Sequence, residues 1–224
     1  MRLGTGVIGG LNTRLVFTDA NHSLPINLAT QTVNGLSFGD PHPRRRVFVG
    51  IAVTTATGVE PNVMTIGGIA ATKHVGLAPG GSPSATSQIW SALVPTGATG
   101  TVQFSVPSSD IDGGSVYVWA GYDLGSSAPT ATTTVSNVGA ASSDMSLDVT
   151  PGGFVIAVAV VSNTFVQSFS FSSLSRDSFD NVPNLQSAAG HVSKSVGGSP
   201  FSIIATRTQT AGTFGVNGVA ASFR

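Results

Sequence analysis

The residue types that a hydrolase would use crowd into one short stretch, "GLSFGDPHPRRR", from Gly35 to Arg46. Gly35-Leu36-Ser37-Phe38-Gly39 has the G-x-S-x-G spacing in which a serine on a sharp strand-to-helix turn stands proud of a sheet. Asp40, His42 and three arginines follow at once. The helix is what is missing. Asp40-Pro41-His42-Pro43 cannot open one, because each proline pushes the residue before it towards extended backbone. A strand pattern then begins at Arg46. Ser37 is therefore read as a turn residue, and the stretch as the junction leading into a strand.

The other candidates for chemistry are sparser. Asp110-Ile111-Asp112-Gly113-Gly114 resembles a fragment of a calcium loop, but it lacks the distal glutamate, and Glu60 is the chain's only one. Asp-Gly-Gly makes a good hairpin turn instead. His22, His42, His74 and His191 lie far apart, with no H-x-H or H-E-x-x-H spacing. Asp144 and Asp148 fall four apart on a predicted strand and so share one side, rather than facing each other across a cleft. Cysteine is absent, which removes disulfides, zinc-thiolate sites and a thiol nucleophile. There is no phosphate loop and no dinucleotide fingerprint. The expectation is a protein that is not an enzyme and carries no cofactor or metal.

Two groups point to binding. Tyr117 and Trp119 alternate onto one strand face, where an exposed pair would stack on a sugar ring. A central strand covered on both sides would bury the same rings. Arg44, Arg45 and Arg46 are too short a cluster for a nucleic-acid footprint, but suit an acidic partner surface. Strand alternation sets Arg44 and Arg46 on one face and Arg45 on the other.

The elements that must carry these residues are strands. Glu and Lys together number three, and no long apolar stripe of helical period appears. "RVFVGIAV" alternates, with Val47, Val49, Ile51 and Val53 on one face. "FVIAVAVV", from Phe154 to Val161, is apolar on both faces and should be a central strand. Gly-Gly pairs at 67–68, 80–81, 113–114, 152–153 and 197–198 supply the turns. Spacing is irregular and shows no repeat of fixed period. The predicted fold is all-β: an antiparallel β-sandwich, jelly-roll-like, over 44–224, preceded by an N-terminal arm over 1–43.

Only 9% of the 224 residues are charged and 41% are hydrophobic, with zero formal net charge. Ordinary soluble proteins carry about 25% charged residues. Gly, Ser, Thr and Ala must build the surface, which suits a protein whose faces are covered by neighbours. No run reaches the apolar length of a membrane span, and "MRLGTGVIGGLNTRLVF" lacks the apolar core of a signal peptide.

Several stretches carry a resemblance: "FGDPHPRRRVFVGIAV", "VMTIGGIAATKHV", "IWSALVPTGATGTVQFSV", "VYVWAGYDL" and "TPGGFVIAVAV". Together they resemble a β-rich domain of small proteins of tailed bacteriophages and prophages, especially those of alphaproteobacteria. The resemblance covers Phe38 to Arg224 and rests on a general pattern, with no catalytic signature. It implies a virion structural role, in the head, a fibre or spike, or a tail accessory part. The expected function is a capsid decoration protein that binds the major capsid protein and self-associates on the particle, with no nucleic-acid or membrane partner. The arm would supply polar contacts through Arg2, Arg14 and Arg44–Arg46, and apolar ones through Leu11, Leu15, Phe17, Leu24 and Ile26. Many weak bridges acting together would stabilise the head. The alternative is a tail fibre or accessory module that binds a glycan through Tyr117 and Trp119.

Overall fold

A computed structural model describes residues 13–55, 59–77, 84–107, 111–137, 142–161, 166–182, 185–209 and 216–224. These residues contain no α-helix. The first half of the chain supplies β1 (Arg14–Asn21), β2 (Thr30–Ser37), β3 (Arg46–Thr55), β4 (Val63–Ile66), β5 (Ile69–Ala70), β6 (Thr72–Gly76), β7 (Ser84–Leu93), β8 (Thr99–Ser105) and β9 (Ile111–Tyr122). The second half supplies β10 (Ala131–Asn137), β11 (Ser142–Val149), β12 (Phe154–Val161), β13 (Val166–Phe171), β14 (Ser175–Val182), β15 (Leu185–Ser193), β16 (Gly198–Gln209) and β17 (Val216–Phe223).

Four antiparallel sheets result. In the first half, an inner sheet runs β1-β9-β3-β7-β6 and an outer sheet runs β2-β8-β4-β5. In the second, the inner sheet runs β10-β17-β12-β15-β14 and the outer sheet β11-β16-β13. Three apolar cores lie between them. Val47, Val49 and Ile51 of β3 meet Val102 and Phe104 of β8 in the first core. Phe48 and Trp119 meet Phe154, Val158 and Phe223 between the two inner sheets. Val155 and Ala157 of β12 meet Met145 and Ile203 in the third. The molecule is thus two β-sandwiches stacked face to face, four layers deep.

The two halves share one topology. Replacing β1, β2, β3, β4, β6, β7, β8 and β9 by β10 to β17 in order reproduces both sheets of the second half; among the described residues β5 has no counterpart. Each inner sheet also carries an aromatic cross-strand pair: Phe48 pairs with Trp119 across β3–β9, and Phe154 pairs with Phe223 across β12–β17. The repetition lies in strand order rather than in sequence, because connections of different length erase any fixed period.

The stacking explains the strand patterns. β12 is buried along its whole length, as an apolar run without alternation requires. β3 alternates, yet both its faces are covered: the valines point into one core, Phe48 and Ala52 into the next. Gly50 faces Val158 across the gap between the inner sheets. A Cβ there would lie 2.6 Å from Val158 Cγ2 and 3.0 Å from the Trp119 ring.

The arm expected over 1–43 is corrected for the residues the structure describes. β1 pairs with β9, and β2 with β8, so residues 14–37 are built into the first sandwich. The apolar residues assigned to an adhesive arm include two that fill cores, Leu15 and Leu24. The boundary at residue 43 does not separate domains; the change of sandwich comes between β9 and β10.

Gly50→Ala is expected to destabilise the protein by about 1–3 kcal/mol through overpacking between the inner sheets. Urea unfolding should show a lower midpoint at an unchanged slope. An unaltered midpoint would mean that the two sheets do not meet at this position.

Candidate functional site

The opening motif is structural. Ser37 ends β2, where its backbone N–H donates to Asp19 Oδ2 at 2.7 Å and its carbonyl accepts from Thr18 Oγ1 at 2.8 Å. These bonds fasten β2 to β1. Gly39 has φ +74° and turns against Tyr122, Ala120 and Thr18, where a Cβ would clash. His42 caps the turn, its Nδ1 accepting from the Arg44 N–H at 3.2 Å.

The three arginines part company. Arg45 is buried, contrary to a role on a partner surface. Its Nε donates to Val94 O at 2.8 Å, Nη1 to Gly39 O at 2.7 Å, and Nη2 to Thr96 O at 2.8 Å and Gly97 O at 2.7 Å. Burial lowers its pKa, against the opposing pull of Tyr122 and Asp40. It ties the β2–β3 turn to the turn after β7. Arg46 is half-buried and donates to Ser91 Oγ at 3.0 Å. Arg44 is exposed, 3.7 Å from Asp123. Arg44 and Arg45 precede β3, which begins at Arg46, so the turn and not strand alternation directs Arg45 inward.

Of the remaining contact residues, Arg14 is exposed over the Tyr122 ring at 5.1 Å. Phe17 is half-buried edge-on against Trp119. Ile26 is 59% exposed. Arg2 and Leu11 lie outside the described residues. Tyr117 and Trp119 do share a face, but both are 0% exposed, so neither can stack on a sugar. Each finds a polar partner in the seam instead, as buried Tyr and Trp require.

That seam holds the polar cluster of the molecule. Tyr117 Oη lies 2.7 Å from Ser187 Oγ, which donates to Ser115 Oγ at 3.1 Å; Ser115 donates to Asp180 Oδ2. Trp119 Nε1 donates to Asp177 Oδ2 at 2.7 Å, and His191 Nδ1 lies 2.7 Å from the same carboxylate. His22, following β1, places Nε2 2.9 Å from Ser178 Oγ and Nδ1 3.5 Å from Asp180 Oδ2. Further along the seam, His74 Nε2 is 2.6 Å from Ser91 Oγ. Burial, with Arg46 nearby, lowers the His74 pKa to about 4, so its ring is neutral at pH 7. Burial raises the Tyr117 pKa.

Sequence spacing missed this cluster. His22 and Ser178 belong to different sandwiches, and only stacking brings them together. Asp110 is outside the described residues, and among those described no three His, Cys, Asp or Glu side chains gather as metal ligands.

The outer faces are of a different kind. β2, β4, β5 and β8 contain no charged residue. They expose Thr30, Thr32, Asn34, Gln103 and Val63, with Asn34 and Thr32 bonded across to Thr101 and Gln103. The opposite face, on β11-β16-β13, exposes Ser146, Thr206, Thr208, Ser168 and Ser170 around Asp144.

Arg45→Met keeps the aliphatic stem and strands four carbonyls. It is expected to cost about 3 kcal/mol in urea unfolding, whereas Arg44→Met should stay within about 0.5 kcal/mol. Equal effects would remove Arg45 from its clamping role. No protein-family model and no curated protein matches the chain.

Proposed function

We propose that the protein is a structural component of a bacteriophage particle, a head decoration protein that seats on the major capsid protein. In this reading each half is a jelly-roll-type sandwich, and the stacked pair is a stiff block. The observation that carries it is the uncharged outer sheet β2-β8-β4-β5. A free protein keeps charge on such a face for solubility; a protein covered by its neighbours has no need to. Hydroxyl and amide groups pair with a partner backbone without the desolvation cost of ions. Ile26 and Val63 add exposed apolar contacts beside that face. The resemblance to phage proteins supports the same reading. Many copies on a lattice make weak single contacts sufficient. A tail accessory role uses the same surface and is the second reading; the buried Tyr117 and Trp119 give no support to a glycan platform on that strand.

Immunogold electron microscopy of intact virions, with antibody against the recombinant chain, tests this. Gold spread over heads is expected. Gold confined to tails would transfer the protein to the second reading, and expressed protein with no gold on particles would overturn the proposal. The double variant Thr32→Lys, Gln103→Lys should fold normally and lose incorporation.

A further inference from the structure

At its solvent-facing rim the seam brings together a serine, a histidine and an aspartate. Ser178 Oγ lies 2.9 Å from His22 Nε2. On the other side of the ring, Nδ1 faces Asp180 Oδ2 at 3.5 Å. Nδ1 is buried and makes no hydrogen bond with any described residue; the Asp180 carboxylate, whose Oδ2 accepts from Ser115, is the charged group that faces it. Asp180 is 6% exposed, while the His22 side chain is 32% exposed. A nucleophile, a base within hydrogen-bond reach and a third group behind the base are the signature of an activated hydroxyl.

The backbone supports access. Ser178 and Asp180 lie two apart on β14 and so share a face. β14 is the edge of its sheet, and an edge strand presents unpaired N–H groups along its open side. The register slips between Arg176 and Ser178. Such bulges re-aim side chains and recur beside active sites.

We propose that Ser178, His22 and Asp180 form an acyl-accepting catalytic triad that acts on esters. His22 Nε2 takes the hydroxyl proton as Ser178 Oγ bonds to the ester carbonyl carbon, and the carbonyl pair moves onto oxygen. Collapse breaks the bond to the alcohol, which leaves with the proton held by His22, and Ser178 is left acylated. Water then attacks in the same way, releasing the acid and restoring the hydroxyl. Asp180 is a positioning residue that sets the His22 tautomer.

The native full chain is treated with a fluorophosphonate probe and the adduct is located by mass spectrometry. One adduct on Ser178 of the folded protein is expected, with hydrolysis of p-nitrophenyl acetate falling roughly 100-fold in Ser178→Ala and in His22→Gln. Ser37→Ala should label like the wild type. Asp180→Asn should displace the pH profile of labelling, which altered packing alone does not move. No adduct on the folded protein, an adduct on another serine, or a rate equal to that of the heat-denatured chain would each overturn the proposal.

Discussion

Phe48, Phe154 and Phe223 close the gap between two five-stranded sheets whose opposite faces already carry a second layer. The Phe48 and Phe223 rings stand 4.7 Å apart, and each lies 5.5 Å from Phe154. Each buried ring contributes about 2–3 kcal/mol, and the contact covers both faces of the central strands β3, β9, β12 and β17. That constraint dictates the sequence of β3, β9, β12 and β17, which must be apolar or small at nearly every position. It also admits Gly50, because a larger residue would hold the sheets apart.

Polar groups in such a seam are costly unless paired. Tyr117, Ser187, Ser115 and Asp180 meet that requirement by bonding to one another. Trp119, Asp177 and His191 form a second chain that crosses between the halves. These bonds are directional where the aromatic contacts are not, so they set how one sandwich sits on the other. His22 and Ser178 stand at the rim of the same network, where the seam reaches solvent.

Much of the fold was legible because strands carry their burial in their period. The unbroken apolar run from Phe154 to Val161 marked a central strand, and alternation separated Val116 and Val118 from Tyr117 and Trp119. Two things were not legible. An edge strand such as β1 or β2 has a weak apolar pattern, so residues 14–37 resembled an arm when they complete two sheets. Burial of Arg45 depends on four carbonyls from two turns, which no local pattern announces. The internal repetition was hidden for a related reason: the two halves share strand order, whereas a repeat in sequence is sought through spacing. The approach of His22 to Ser178 and Asp180 was illegible altogether, since the histidine follows β1 in one half and the other two lie on β14 in the other.

The low charge of the chain has a place in this architecture. With four layers, much of the exposed sheet surface lies on the two outer sheets, and the strands of one of them carry no charged residue. All of this depends on the two sandwiches behaving as one body. Differential scanning calorimetry of the intact chain tests that most directly. One transition, with calorimetric and van't Hoff enthalpies equal, is the predicted result; two resolved transitions, one for each sandwich, would contradict a shared core.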